Sequence, residues 1–299
     1  MTLTGVIPPV CTPMTPDGEV DAGSLVRLVD HLIEGGVDAL FVLGSSSEVA
    51  YLTDAQRAVV LDTVTGHVGG QVPVLAGVID MTTPRVLQHA RAAERASALV
   101  VTAPFYTRTH PVEIRTHFRL VAERTQKPVY AYDLPVSVHV KLGADLLLEL
   151  AEDGTLAGVK DSSGDDGAMR ELILRRPAGF GVLTGSELTV DSALWMGADG
   201  VVPGLGNVDP AGYVALCRAA ARGDWEAARH EQERLARLFE IVRVGGRRMG
   251  GSSSGLGAFK AALHLRGVID HPTTAQPQVP LEADEVGRIG KLLAAAGLL

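Results

Sequence analysis

Eight short apolar segments recur along the 299-residue chain, and their alternation with helical patterns constrains the fold more than any other feature. Each segment is rich in β-branched residues and is bounded by Gly, Pro, Asp or Thr. They occupy Gly5–Val10, Ala39–Leu43, Val72–Ala76, Ala98–Thr102, Val129–Tyr132, Leu156–Lys160, Gly181–Thr184 and Gly200–Pro203. Their near-continuous hydrophobicity is typical of strands buried on both faces of a parallel sheet.

Amphipathic stretches lie between most of these strands. In Ser24–Glu34 the apolar residues recur at helical spacing. Thr53 and Gln56 have the spacing of a capping box, and Pro84 and Pro111 stand where a first helical turn begins. Eight alternating units predict a closed (β/α)8 TIM barrel, with an open doubly wound sheet as the rival.

After Pro210 the pattern becomes wholly helical. The helices predicted there are Ala211–Arg222, Trp225–Val242, Leu256–Leu265 and Ala283–Ala296. We therefore predict a barrel over residues 1–222 and a C-terminal helical extension, packed on it, over residues 223–299. The Gly- and Ser-rich segment Gly245–Gly257 predicts a flexible turn between helices; a phosphate cradle is the alternative, but the Lys-Ser/Thr ending is missing.

Composition and charge argue against several classes of function. The net charge is −8 and no Lys/Arg stripe is present, so we expect no nucleic-acid partner. No apolar run reaches the roughly 18 residues of a membrane span, and the N-terminus lacks a signal-peptide pattern. The two cysteines, Cys11 and Cys217, fit a reducing cytoplasm. The nine histidines lack paired metal-binding spacing, so we expect neither a metal nor a cofactor.

Catalytic groups of such a barrel lie at the carboxyl ends of the strands and on the loops that follow. Lys160 is at one of these ends, directly after the apolar run Leu156–Val159. Burying an ammonium is costly unless it is paired or deprotonated, and a neutral amine can attack a ketone to form an imine. A structural cation that reaches out of the barrel rim is the alternative, and strand position alone does not separate the two.

The other lysines are four in number and lie before a proline, in a loop or on late helices, where a solvated ammonium is expected. They are Lys127, Lys141, Lys260 and Lys291.

Two neighbouring strand ends add polar groups. Tyr132 ends the fifth strand, where its hydroxyl can relay protons during imine formation; a core aromatic with a solvated hydroxyl is the alternative. Ser45, Ser46 and Ser47 follow the second strand and offer hydroxyl and backbone N–H groups on a tight turn. Such a turn suits a carboxylate, although Gly/Ser loops are also common as plain connections.

Three motifs in this order resemble those of the dihydrodipicolinate synthase/N-acetylneuraminate lyase family of Schiff-base aldolases. Gly44–Glu48 is similar to the family's G-[ST]-[ST]-G-E loop, and Tyr132–Pro135 to its Y-[ND]-x-P motif. Gly158–Asp165 is similar to its G-[IV]-K-[DE]-x-[ST]-G-[DN] motif. The resemblance extends from about Gly5 to about Asp270, which is nearly the whole chain.

The resemblance implies a role for each of seven residues. Lys160 would be the Schiff-base lysine and Tyr132 the proton relay. Ser45 would link Tyr132 by hydrogen bonds to Tyr106, which in this family usually comes from a neighbouring subunit. The substrate-binding residues would be Ser45 and Ser46 for the carboxylate, with Val202 and Gly185 lining the pocket. A shared site of this kind implies a homo-oligomer, either a dimer or a tetramer.

Four positions depart from the family patterns. Ser47 stands where the loop usually has glycine, and Asp133 replaces the commoner Asn. Ser137 occupies the place where the lysine-biosynthetic synthases carry an Arg that binds the second substrate. Glu187 preserves only the acid of the G-x-D-E pattern with which neuraminate lyases contact the sugar.

These features together predict a lyase or aldolase that forms a lysine Schiff base with pyruvate or a related 2-oxo acid. A 2-keto-3-deoxy sugar acid is one such substrate, and a dehydratase or decarboxylase would use the same imine. The alternatives are dihydrodipicolinate synthase activity and a non-catalytic 2-oxo-acid sensor on the same scaffold. The joint presence of Lys160, Tyr132 and Tyr106 disfavours the sensor.

Overall fold

The computed structural model describes residues 3–299 and contains eight parallel strands. They are β1 Gly5–Val6, β2 Leu40–Val42, β3 Val74–Gly77, β4 Ala98–Thr102, β5 Val129–Asp133, β6 Gly158–Asp161, β7 Gly181–Thr184 and β8 Gly200–Val201. Hydrogen-bonded neighbours follow the order β1-β8-β7-β6-β5-β4-β3-β2. The Phe41 N–H donates to the Pro8 carbonyl at 3.1 Å, and the Val10 N–H donates to the Phe41 carbonyl at 2.8 Å. These bonds join the chain after β1 to β2, so the structure confirms the (β/α)8 barrel.

Residues alternate in direction along each strand, as the two-residue period of a strand requires. In β5, Tyr130 and Tyr132 belong to the apolar cluster inside the barrel, whereas Val129 and Ala131 belong to the larger cluster beneath the helices. The interior cluster also contains Phe41. Because every strand is buried on both faces, the sequence shows continuous rather than alternating hydrophobicity.

Helices connect the strands and continue beyond the last of them. They are α1 Ala22–Glu34, α2 Asp54–Val68, α3 Thr83–Ala92, α4 Pro111–Thr125, α5 Pro135–Val138, α6 Ala144–Glu152, α7 Asp166–Arg175, α8 Val190–Met196, α9 Pro210–Ala221, α10 Trp225–Phe239, α11 Gly251–Leu265 and α12 Ala283–Ala295. Short 3-10 helices span Gly204–Asn207 and Glu240–Arg243. Within residues 3–299, no helix combines the length and the apolar character that crossing a membrane requires.

The local signals for helix starts are confirmed. Thr53 and Gln56 form the predicted capping box of α2, and Pro84 and Pro111 lie in the first turns of α3 and α4. Each of these prolines lacks the N–H that a first turn would leave unpaired in any case.

The flexible turn predicted over Gly245–Gly257 is wrong in its second half, because α11 already begins at Gly251. Ser254 explains the difference. Its hydroxyl donates to the Val242 carbonyl at 2.6 Å and accepts from the Gly245 N–H at 3.0 Å. These bonds fix a segment whose composition alone favours disorder.

Candidate active site

Lys160 and Tyr132 lie side by side at the carboxyl ends of β6 and β5. Their Cα atoms are register partners, so both side chains point into the barrel from the same level. Tyr132 is in turn the partner of Thr102 on β4. Three neighbouring strands therefore place a lysine, a tyrosine and a threonine in one lateral row inside the barrel mouth.

The Lys160 side chain is enclosed by aromatic rings. The residue is 5% exposed, and its Nζ lies 4.0 Å from the centroid of the Tyr132 ring and 5.1 Å from that of Phe41. Across the part of the chain that the structure describes, no carboxylate forms an ion pair with this amine. Its contacts are with the aromatic ring faces instead.

Gly185 leaves room for the end of this lysine. A Cβ at Gly185 would come within 1.9 Å of Ser162 Oγ and 3.2 Å of Lys160 Cε. Any side chain there would therefore fill the space beside the amine. Val202 is buried in the interior cluster together with Leu183 and Tyr132, and its N–H donates to the Thr184 carbonyl at 2.8 Å, so it lies at the strand end next to Gly185.

The loop after β2 brings the Ser45 hydroxyl to the barrel mouth, with Ser46 next to it in the chain. Ser45 is exposed and Ser46 is half-buried, and Ser45 Oγ lies 3.4 Å from the Tyr132 hydroxyl. Leu43 and Glu48, which bracket the loop, have φ angles of 58° and 60°. Such left-handed conformations are unfavourable for residues with a side chain and are found preferentially at functional sites.

Ser47 does not face the barrel mouth. It is fully buried, and its hydroxyl donates to the Val10 carbonyl at 2.5 Å and accepts from the Gly44 N–H at 3.2 Å. The Thr12 hydroxyl donates to the Ser47 carbonyl at 2.8 Å. The serine at the position of the family's glycine thus bonds the loop to the chain segment after β1, at Val10 and Thr12.

The expectation that Lys260 is a solvated ammonium is wrong. Its side chain is completely buried and forms an ion pair with the equally buried carboxylate of Glu48. Its Nζ also donates to the Thr273 carbonyl at 2.7 Å. The sequence contains a signal for this burial, because Lys260 interrupts the apolar stretch Leu256–Leu263 of α11.

Lys141 is also paired, although it stays partly exposed. Its Nζ forms an ion pair with the buried carboxylate of Asp133, which also accepts from the Leu142 N–H at 3.1 Å. Burial raises the pKa of Asp133, and the neighbouring ammonium opposes the rise. The ion pair explains how an acid fits where the family commonly has Asn.

Glu187 brings a carboxylate towards Lys160 from the loop after β7. It accepts from the Gly204 N–H at 2.8 Å, and the side-chain amide of Gln232 donates to its carbonyl at 2.9 Å. Burial raises the pKa of Glu187, while the bond from Gly204 and the charge of Lys160 oppose the rise. The loop is held from two sides, so the position of this acid is defined by the fold.

A cavity of about 200 Å³ opens beside Ser45. Its polar lining includes Ser137, Thr102 and Ser252, and Val49, Phe105 and Leu256 are among its apolar walls. Ser252 and Leu256 belong to α11, which sequence reasoning did not assign to the site. Tyr106 follows β4 with a φ angle of 70° and is 91% exposed. In the described part of this one chain its hydroxyl makes no hydrogen bond to Ser45.

Among residues 3–299, no group of three or more His, Cys, Asp or Glu side chains is arranged to hold a metal ion.

Comparison with known proteins gives consistent matches. Residues 2–296 match the model of the dihydrodipicolinate synthetase family. The 4-hydroxy-tetrahydrodipicolinate synthase of Neisseria meningitidis serogroup B is 34% identical over 80% of this chain and 83% of its own. A DapA-like lyase of Halobacterium salinarum is 34% identical over 99% of this chain and 95% of its own. The crystal structure of YagE from E. coli K12, in complex with pyruvate, superposes with a TM-score of 0.93 and 27% identity over the full length of both chains.

The fold and these relatives define the class of protein as a (β/α)8 enzyme of the lyase and aldolase type. Within that class, the chain belongs to the dihydrodipicolinate synthetase family.

Proposed function

We propose that this enzyme is a class I aldolase in which Lys160 forms a Schiff base with pyruvate or a similar 2-oxo acid. The observation that carries the proposal is the position of the Lys160 amine, buried inside the barrel mouth and 4.0 Å from the Tyr132 ring centroid. The pyruvate complex of the E. coli relative supports the choice of donor.

The reaction begins when the neutral amine of Lys160 attacks the ketone carbon of the donor and forms a carbinolamine. Proton transfer through the Tyr132 hydroxyl lets the carbinolamine lose water, which leaves the imine. The Tyr132 oxygen, which gave its proton to the departing water, takes a proton from C3, and the imine accepts the electron pair released. The resulting enamine attacks an aldehyde, and the new alkoxide takes up that proton from Tyr132. Water then hydrolyses the imine, which releases the product and frees Lys160. Aldol cleavage follows the same steps in reverse.

The neighbouring residues orient the donor. Ser45 and Ser46 present hydroxyl groups on the loop that faces the barrel mouth, so we assign them to the substrate carboxylate. Gly185 leaves space beside the amine, and Val202, at the neighbouring strand end, adds an apolar wall. Holding the carboxylate at one end and the imine at the other directs C3 towards the acceptor, which is how fixed geometry accelerates a two-substrate reaction.

For the acceptor, we favour a hydroxylated group, as in a 2-keto-3-deoxy sugar acid. The cavity beside Ser45 is lined by the hydroxyl-bearing residues Ser137, Thr102 and Ser252 together with Glu48, and no basic residue is among its described lining. Glu187 adds a hydrogen-bond acceptor near Lys160. A guanidinium, which binds a carboxylate through two parallel bonds, is missing from Ser137's position.

Dihydrodipicolinate synthase activity is the second candidate, because the Neisseria relative with 34% identity carries the name of that synthase. Kinetics with aspartate semialdehyde separate the two candidates. Efficient turnover would make the synthase the correct assignment.

We further propose that the active unit is a dimer or tetramer, with Tyr106 completing the site of a neighbouring subunit. Its exposure of 91% and its left-handed backbone suit a residue that is presented to another chain. We assign the enzyme to the cytoplasm, since Cys11 and Cys217 are both free thiols.

Trapping with borohydride tests the covalent step. Incubation with pyruvate and borohydride should attach a reduced adduct to Lys160, to be located by mass spectrometry of the digested protein. Lys160→Ala should abolish the adduct, whereas Lys127→Ala, a matched change at a lysine bonded to surface carbonyls, should not. An undiminished adduct in Lys160→Ala would refute the mechanism. An adduct at Lys160 without turnover of any acceptor or sugar acid would identify a sensor.

A further inference from the structure

The ion pair between Glu48 and Lys260 is completely buried, with both side chains 0% exposed. Two charges are rarely enclosed in this way, because removal from water is unfavourable even when they attract each other. Replacement of such a pair by apolar residues is often neutral for stability. Stability alone therefore does not explain why this ion pair is present.

Glu48 connects two parts of the chain that are remote in sequence. It is the residue directly after Ser45–Ser47, and its N–H donates to the Ser45 carbonyl at 3.0 Å. Its carboxylate accepts from the Ala275 N–H at 2.7 Å and from the Gln278 amide at 2.6 Å. The other partner is Lys260 on α11. The loop is thus held from the C-terminal region by one side chain.

A buried thiol lies close to the pair. Burial raises the pKa of Cys11 to about 12, so this neighbour is neutral near pH 7 and adds no charge to the junction. The backbone of Glu48 has a φ angle of 60°, a conformation that a residue with a side chain adopts only when its surroundings impose it. The contacts of the Glu48 carboxylate with Lys260, Ala275 and Gln278 supply that constraint.

We infer that the Glu48–Lys260 pair is a positioning device that holds Ser45 and Ser46 in the conformation that binds the substrate carboxylate. The C-terminal segment 273–278 and α11 are then functional parts of the donor site rather than an outer layer. Neither Glu48 nor Lys260 touches the reacting atoms; they act through the loop. This inference rests on the proposed function of that loop.

The test compares Glu48→Gln and Lys260→Met with Glu285→Gln. Glu285 is a matched control because it is also a buried acid paired with a basic residue of the C-terminal region, Arg248, at 2.7 Å, and it lies on α12. We expect Glu48→Gln and Lys260→Met to raise the KM for pyruvate at least about tenfold while kcat at saturation changes less than about threefold. Glu285→Gln should lower the melting temperature and leave the KM for pyruvate within about twofold.

Breaking a buried pair is strongly destabilising, so a milder variant covers the case in which the first two do not fold. Gln278→Met removes a single bond to the Glu48 carboxylate and should raise the KM for pyruvate by about twofold to fivefold. An unchanged KM in a folded Lys260→Met, or in Gln278→Met if the others are unfolded, would overturn the inference.

Hydrogen exchange separates this inference from the proposed function. The amides of Ser47 and Glu48 should exchange faster in Gln278→Met than in the wild type, and this readout requires no substrate. If pyruvate is not trapped on Lys160 in the wild type, the proposed function fails. If pyruvate is trapped but exchange and KM are both unchanged, the positioning role fails.

Discussion

Ser47 offers a direct measure of what holds the donor loop. Ser47→Ala removes the hydroxyl that bridges the Val10 carbonyl and the Gly44 N–H, at 2.5 and 3.2 Å. A buried backbone group left without a partner costs about 1–3 kcal/mol. Because the loop can relax after the change, we take the lower half of that range for each of the two groups and expect the unfolding free energy to fall by about 2–4 kcal/mol.

Ser47→Gly tests the same contribution of the Ser47 hydroxyl to stability, and it introduces the residue that the family usually has in this loop. The change removes both bonds and adds about 0.5–1 kcal/mol of backbone entropy cost, so we expect it to be at least as destabilising as Ser47→Ala. Urea denaturation gives the stability, and pyruvate saturation kinetics should show a KM raised by roughly tenfold, about 1.4 kcal/mol of binding. A glycine variant as stable as the wild type would refute the claim that the Ser47 hydroxyl stabilises the loop.

Three further predictions concern separate parts of the molecule. Tyr106→Phe should lower kcat by at least about tenfold. The unfolding free energy in urea should change by less than about 0.5 kcal/mol, because the side chain is 91% exposed. An unchanged kcat would show that Tyr106 is not part of the site. Wild-type kcat/KM with aspartate semialdehyde should be low, and Ser137→Arg should raise it by at least about tenfold; no rise would mean that another group binds that carboxylate. Burial lowers the pKa of His117 from 6.5 to about 4. As the pH falls, the unfolded chain is therefore protonated at this histidine before the folded chain is. The unfolding free energy should consequently fall by about 2–3 kcal/mol between pH 7 and pH 4.5. Urea denaturation should show a smaller loss in His117→Gln than in the exposed control His230→Gln, and equal losses would contradict the assignment.

The elements that carry the proposed chemistry could be predicted because strand burial and strand ends leave local signals. β4 and β7 have the predicted bounds, and Lys160 and Tyr132 were placed at adjacent strand ends from the apolar runs that precede them. β1 and β8 are shorter than predicted. Their prolines, such as Pro8 and Pro203, cannot donate a backbone hydrogen bond to the neighbouring strand.

Two ion pairs that support the site could not be predicted, and the reason differs between them. The pair of Glu48 and Lys260 spans more than two-thirds of the chain, and no local pattern links these positions. The partner of Asp133 is close in sequence, at Lys141, but its role depends on the burial of Asp133, which only the folded barrel defines. Polar residues in apolar stretches are the local signal for such pairs, since a buried charge requires a partner.

The two halves of the proposed site differ in how they are built, and this bears on substrate choice. The covalent centre of the donor half is formed by strand ends whose register is fixed by backbone hydrogen bonds, with Lys160 opposite Tyr132, and the loop of Ser45 and Ser46 adds the proposed carboxylate contacts. The acceptor half is formed by loops and helix ends, with Ser137 on the four-residue helix α5 and Ser252 on the first turn of α11. Loops tolerate substitution far better than barrel strands do. Imine chemistry can therefore persist across relatives while the acceptor changes, so the name of a relative identifies the reaction type more securely than the substrate.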